Sequence, residues 1–567
     1  MKSCITASAA SLLFLFVACN EHTSRSDKQQ RSEYKEVTIA DIQQEPGKPN
    51  PPTTADSNKE DYTIATIQQD GSVSEPPPAV EKLKEDKMIS EEELNTEDYD
   101  YIIENKFIAA TQNPLSTFSI DVDEASYSNV RRYLQNGTIP PAGAVRIEEM
   151  INYFDYVYPK PQGSEPFTVN TEIAECPWNK EHKLVHIGLQ GKEIPVDNLP
   201  ASNLVFLVDV SGSMDEPNKL PLVQASLNML TDQLREKDKV AIVVYAGNAG
   251  LVLPSTNGVN KPKIKEAINN LEAGGSTAGG EGIQLAYKTA KENFIKGGNN
   301  RVILATDGDF NVGISSHDEL VRLIENERKS GVFLSVLAYG MGNYKDNKMQ
   351  QLADKGNGNH SYIDNINEAR KVLVNEFGST LFTIAKDVKI QVEFNPAKVQ
   401  AYRLVGYENR MLASEDFNDD TKDAGELGSG HTVTALYEII PAGVKDEFSK
   451  SVDPLKYQNN IPQIAGNYNS EMMTIKLRYK KPDEDISKLI TQVVIDNHMA
   501  LVNTSDNFRF SASVAEFGLL LRNSAYKQQS SYQQVVNMAK TARGKDDNGY
   551  RSEFIQLVKA ATSLAKN

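Results

Sequence analysis

Apolar residues change their spacing several times along this chain, and each change predicts a different kind of element. Residues 20–95 hold few large apolar side chains and no period. Such a segment cannot bury enough surface to offset its chain entropy, so it reads as disordered. Order is expected from near Asn105. The run from Ser116 to Asp123 alternates as a strand, with Phe118, Ile120 and Val122 on one side. Tyr127, Val130, Tyr133 and Leu134 then share one face of a helix that Gly137 stops. After Pro140-Pro141, the spacing of Ile147, Met150, Ile151 and Phe154 predicts a second helix over Val145 to Tyr156. Period two returns over residues 167–195, in Phe167, Val169 and Ile173 and then Leu184, Val185, Ile187 and Leu189. These are expected to be antiparallel strands outside the sheet that follows.

From residue 203 to about 383 the pattern is strand, helix, strand, helix. Leu204-Val205-Phe206-Leu207-Val208 is continuously apolar, as a strand covered on both faces must be. Leu222, Val223, Leu227, Leu230 and Leu234 form a helical stripe, and Val240 to Tyr245 is the next strand, with Leu251-Val252-Leu253 folding back on it as an edge hairpin. Amphipathic helices are predicted over Lys263 to Leu271 and Gly282 to Phe294, around the buried strand Val302 to Ala305. Ser316-His317-Asp318-Glu319 has the spacing of a capping box opening a helix through Arg328. Val332 to Leu337 and Ser361 to Ile363 are the last strands. This alternation predicts an α/β fold, a doubly wound, mostly parallel sheet with right-handed crossovers.

Residues 384–480 alternate again (Val388, Ile390, Val392, Phe394; Val433 to Ile440; Met473, Ile475, Leu477), and 508–567 are helical. Phe517, Leu520 and Leu521 make one stripe there; Phe554, Leu557 and Val558 make another. Strands on both sides of the α/β unit imply one β-sandwich built from both flanks, with the α/β domain inserted and helical regions at each end. The expected segments are 1–19, 20–104, 105–200, 201–383 and 384–567: leader, acidic Pro-rich tether, helices with antiparallel strands, α/β domain, and a β-rich then helical region.

A chain of 567 residues is too long for one ordinary core. Its formal net charge of −17 argues against a nucleic-acid partner, which would want a basic stripe. Lys2 followed by the short apolar run Ser8 to Val17 reads as a targeting segment, too short for a spanning helix. Phe16-Val17-Ala18-Cys19 resembles a bacterial lipobox with Phe in place of the usual Leu. The resemblance implies that Cys19 is lipidated; the alternative is a plain secretory signal with a chance cysteine. With Cys4 removed and Cys19 acylated, Cys176 has no partner for an intramolecular disulfide. Within the tether, Thr38 to Gln44 recurs as Thr63 to Gln69, either as a duplicated spacer or as a docking motif present twice.

The chemistry lies in three separated pieces. Asp209, Ser211 and Ser213 form one Asp-Val-Ser-Gly-Ser run at the end of the first strand; Thr277 sits in Gly274-Gly275-Ser276-Thr277; Asp307 ends a later strand. Open α/β sheets bind ligands at the carboxyl ends of their strands. Hydroxyls and carboxylates are hard oxygen ligands suited to Mg²⁺ and tolerant of Mn²⁺ or Ca²⁺. Together these residues resemble the metal-ion-dependent adhesion site of a von Willebrand factor type A domain. The resemblance implies that the hydroxyls of Ser211, Ser213 and Thr277 hold the metal directly or nearly so. Asp209 and Asp307 act largely through water, and an Asp or Glu of a protein partner completes the coordination.

A wider resemblance, to a bacterial group of envelope proteins called YfbK-like, rests on Asn113 to Asp123, Ala305 to Gly313, Ala385 to Val388, Val405 to Glu408 and Gly549 to Phe554. It implies architecture more than role. The expected function is therefore a lipid-anchored binding protein of the cell envelope, facing the periplasm or the outside, and not an enzyme. The alternative is a structural or assembly factor in which the metal only braces loops.

Other candidates are weaker. Asp307-Gly308-Asp309-Phe310-Asn311 and Asp416-Phe417-Asn418-Asp419-Asp420 start like EF-hand loops but have Val312 and Thr421 where Gly is needed. Asp121, Asp123 and Glu124 are expected to cap the helix after them. His182 and His186 are expected to be solvent-exposed, and His360 structural. Cys176-Pro177-Trp178 reads as a turn; no base is placed to activate its thiol.

Overall fold

The computed structural model describes residues 96–275, 279–308, 310, 317–376, 382–422, 424–449, 468, 470–482, 484–497 and 499–566. Cys19, the targeting segment, the duplicated motif, Thr277 and Ser316 lie outside these residues.

The α/β unit is a six-stranded sheet. Its spatial order is His360–Ile363, Val332–Tyr339, Asn299–Thr306, Ser202–Asp209, Lys239–Tyr245, Ala249–Asn257. All neighbours are parallel except the last pair, the edge hairpin expected from Leu251 to Leu253. The continuous apolar run of the central strand is explained by its two covers. Leu204, Phe206 and Val208 belong to one core, with Val223 and Leu227 of helix Leu220–Gln233. Val205 and Leu207 belong to the other, with Ile283 and Ala286 of helix Gly279–Glu292.

The flanks close on each other. One sheet runs Ile108–Ala109, Val399–Val405, Thr432–Pro441, Asn179–Gly191, Phe167–Cys176; the facing sheet runs Met411–Leu412, Leu115–Ser119, Thr383–Phe394, Glu471–Lys480, Lys488–Ile495. Both sheets mix strands from before and after the α/β unit. Ile390 sits opposite Phe118, and Leu436 opposite His186. Phe118, Val185, Ile390, Tyr437 and Leu477 fill the space between them. The inserted-domain architecture is therefore present, and residues 105–200 and 384–567 share one sandwich core. Helices Ala125–Gln135 and Ile147–Asn152 pack with Asp506–Leu521, Tyr532–Thr541 and Tyr550–Leu564 around Tyr127, Phe154, Phe510 and Phe554. No helix among the described residues is long and apolar enough to cross a membrane.

Three expectations change. Order extends back at least to Thr96, because Glu97 is a built part of the fold. It accepts from Arg132 at 2.7 and 2.8 Å and from the Gly342 amide at 2.9 Å, while Thr96 and Asp98 donate backbone bonds to Gly342 and Tyr344. The second helix covers only Ile147–Asn152. Phe154, Tyr156 and Tyr158 alternate, and an extended backbone lets all three rings enter the helical core. Strands Val399–Val405 and Lys488–Ile495 are not anticipated by the apolar spacing.

Candidate metal centre

Asp209 ends the central strand, in register with Tyr245 of its parallel neighbour. On the other side Val208 pairs with Ala305, so Thr306 and Asp307 leave the adjacent strand at the same sheet edge. Both carboxylates are buried, at 0% and 1% exposure. Asp209 Oδ1 accepts from the Ser211 amide at 2.9 Å, and its Oδ2 accepts from the Tyr245 hydroxyl at 3.0 Å. Burial, with Asp307 nearby, raises the Asp209 carboxyl, while the Ser211 and Tyr245 hydrogen bonds lower it; the balance is pushed up to about 6. A buried carboxylate with a second carboxylate nearby favours a cation or a proton.

The Ser211 and Ser213 hydroxyl oxygens stand 3.1 Å apart. Ser211 is buried and Ser213 is exposed, so the pair leads from the acidic floor to solvent. Met214, fully buried in the α/β core, pins this loop from below. The second loop is tied to the first by backbone bonds: Gly212 N donates to Gly275 O at 3.0 Å, and Gly274 N donates to Val210 O at 2.7 Å. Gly275 is thus placed two residues before Thr277, which is outside the described residues. The third loop depends on Gly308, at φ +97°, where an added Cβ would lie 2.6 Å from the Tyr344 Cα. Phe310 folds back against the Tyr245 ring, 5.3 Å between centroids.

Three groups of this site are not legible from the motif. The Lys219 ammonium, with 3% of its side chain exposed, lies 3.2 Å from Asp307 Oδ2. Asn343 Nδ2 approaches the same oxygen at 3.4 Å, and Tyr245 holds Asp209. Among the described residues, Asp209, Ser211, Ser213 and Asp307 are the candidates brought to this edge. The described residues contain no cluster of three or more His, Cys, Asp or Glu side chains arranged to hold a metal, so oxygen chemistry there rests on hydroxyls with two carboxylates.

The weaker candidates resolve as structure. Asp123 does not cap the next helix; its Oδ1 accepts from the His360 amide at 2.8 Å and its Oδ2 pairs with Arg410 at 3.1 Å. Asp121 also meets Arg410, and Glu124 pairs with Lys371. These acids join the sandwich to the α/β unit instead of solvating a helix end. His182 and His186 are both buried, at 1% exposure. They sit on a strand whose far face is covered by the helices, a third layer that alternation alone does not reveal. His182 bridges Glu438 at 2.6 Å and Asp446 at 3.0 Å, and His186 meets the Tyr158 hydroxyl at 3.0 Å. His360 is structural, its Nε2 3.2 Å from the Tyr344 hydroxyl. In the 416–420 loop, Lys389 donates to the carbonyls of Asp416 and Asp419 at 3.0 and 2.5 Å, and Lys480 donates to that of Asp420 at 2.8 Å. Lysines supply the positive charge there. Cys176 is buried, and burial pushes its thiol well above the ordinary range.

Residues 203–374 match the von Willebrand factor type A domain, residues 93–186 match a family described as von Willebrand factor, and residues 379–564 match the C-terminal region described for the uncharacterized protein YfbK. The chain is 44% identical over 476 residues to Uncharacterized protein YfbK of Escherichia coli (strain K12), covering 83% of this chain and 82% of that one. Uncharacterized protein sll0103 of Synechocystis sp. is 30% identical over 171 residues, covering 30% of this chain and 39% of its own. Among solved structures, the conserved hypothetical protein BatB from Bacteroides thetaiotaomicron aligns with 31% of this chain and 97% of its own, at 22% identity and a TM-score of 0.27. With the α/β insertion, the sandwich built from both flanks and the C-terminal helices all within the matched span, the chain belongs to the YfbK-like family of von Willebrand factor type A domain proteins.

Proposed function

We propose that this protein is an envelope-facing adhesion module, lipid-anchored through Cys19, that uses Mg²⁺ at the Asp209–Asp307 site to capture a carboxylate of a protein partner. Domains of the von Willebrand factor type A family generally serve as non-enzymatic interaction modules. The observation that carries the finer reading is the oxygen geometry. Two ligand oxygens on neighbouring vertices of a Mg²⁺ octahedron, with bonds of about 2.1 Å, stand roughly 3 Å apart. The hydroxyls of Ser211 and Ser213, hydrogen-bonded to each other, already stand at that separation, 3.1 Å, on the loop that follows the buried Asp209. Ser211, Ser213 and Thr277 would hold the ion, and Asp209 and Asp307 would supply charge around it. When bound, the metal offers an electron-poor position to an acidic oxygen. Mn²⁺ or Ca²⁺ would fit the same donor set less selectively.

The test is capture from envelope extracts by the full-length chain. The expected result is a protein retained in Mg²⁺, released by EDTA, and not retained by Ser211→Ala at an unchanged Tm. Retention that survives both treatments would contradict the proposal. An EDTA-induced fall in Tm with the complex intact would favour a metal that only braces loops.

A further inference from the structure

We propose that Lys219 makes the site conditional: a divalent ion binds weakly on its own and tightly only together with an anionic ligand. This rests on the metal reading above and concerns how that site is regulated. Lys219 precedes helix Leu220–Gln233, yet its side chain runs inward instead of to solvent. Its stem passes over Gly340, where an added Cβ would lie 2.5 Å from Lys219 Cε and 2.6 Å from Cγ. Gly340 has φ +76°, so the chain keeps a residue there that leaves a channel for the lysine. The ammonium arrives 3.2 Å from Asp307 Oδ2, with both side chains nearly inaccessible. Among the described residues, Glu216 is the other acid paired with it, at 3.8 Å, but is 60% exposed and screened by solvent.

The charges then decide the behaviour. Asp209 and Asp307 carry −1 each and Lys219 carries +1, which leaves −1 among these three buried groups. A divalent ion makes the group +1, and a carboxylate on the metal brings it to zero. Without Lys219 the metal alone would reach zero, and an added carboxylate would leave −1. A buried site penalises net charge, so the lysine shifts the neutral state from metal alone to metal plus anion. It also supplies a built-in cation for Asp307 before metal arrives. The ligand class that follows is an anionic oxygen donor, and metal and ligand should assist each other reciprocally.

The experiment is calorimetric titration of the full-length chain with Mn²⁺, in excess sodium acetate or in sodium chloride of the same ionic strength, for wild type and Lys219→Met. Methionine keeps most of the stem without the charge. The expected result is Mn²⁺ affinity in chloride about ten-fold or more higher in the variant, from removal of one like charge near the ion. Acetate should strengthen Mn²⁺ binding in wild type and do so much less in the variant. Equal or weaker Mn²⁺ binding by Lys219→Met, beside a wild type that binds, would overturn the role of Lys219 while leaving the metal site standing. No Mn²⁺ binding by either folded protein, with or without acetate, would overturn the metal reading and this proposal with it. Lys219→Gln reads the same quantities if loss of the polar end unfolds the methionine variant.

Discussion

Asp209 uses both carboxylate oxygens within the protein, on Ser211 and Tyr245, so its position is set by hydrogen bonds and not by a ligand. A site pre-organised this way should lose metal, and not stability, when a single hydroxyl is removed. Ser211→Ala is therefore expected to abolish Mn²⁺ binding with a Tm change of less than a few degrees, read by thermal shift. Glu516 shows the opposite case, a buried acid with a structural cost. One oxygen accepts from the Ser531 amide at 3.2 Å, and the Ser530 hydroxyl is the other polar group beside the carboxyl. Burial pushes its carboxyl up to about 8. A raised acid stabilises the fold fully below its unfolded value of 4.5, and that stability is lost as pH rises through about 8. Glu516→Gln keeps the shape without the proton. Its stability advantage over wild type should grow by about 1.4 kcal/mol per pH unit from 4.5 toward 8, measured by urea unfolding. A pH-independent difference would contradict this. At this scale the Asp-Val-Ser-Gly-Ser run was legible because its oxygen-bearing side chains are two residues apart and follow an unmistakable strand. Lys219 was not, since nothing local says that its side chain crosses to a residue 88 positions away.

At the scale of elements, apolar period separated most strands from helices, and it failed where a second force acted. The helix at Ile147–Asn152 stops early because the rings after it are placed by alternation. The strand Val399–Val405 was hidden because it ties to both neighbours through the backbone, while its sequence carries Gln400 and Arg403 among the apolar positions. The elements are joined by buried ion pairs. Arg131, on helix Ala125–Gln135, binds Asp364 and Glu368 of the α/β unit, the latter at 2.7 Å, and Glu553 of the last helix at 3.1 Å. Arg131→Met would leave Asp364 and Glu368 buried without their guanidinium, Glu368 still accepting from the Tyr153 hydroxyl at 2.8 Å, at a cost of about 3–5 kcal/mol. Chemical denaturation should show that loss as a lower midpoint for the whole molecule. A variant as stable as wild type would mean that these acids find protons or water instead.

At the scale of the molecule, the α/β domain interrupts a sandwich that neither flank can complete. Strand Thr383–Phe394 lies between Leu115–Ser119 and Glu471–Lys480, and Thr432–Pro441 lies between Asn179–Gly191 and Val399–Val405. Residues 384–567 alone are therefore expected to show no cooperative unfolding and weak near-ultraviolet circular dichroism. A sharp transition from that fragment would contradict the shared core. The insertion was legible because strands of period two appeared on both sides of a βα pattern; the pairing between flanks was not, since register depends on contacts hundreds of residues apart. The central claim is that Asp209, Ser211, Ser213, Thr277 and Asp307 form a working metal site. Its most direct test is calorimetric titration of the full-length chain with Mg²⁺ and Mn²⁺ in excess acetate, beside Asp209→Ala. Saturable binding in wild type and none in the folded variant is the predicted result. Equal binding in both proteins, or none in wild type, would contradict the account.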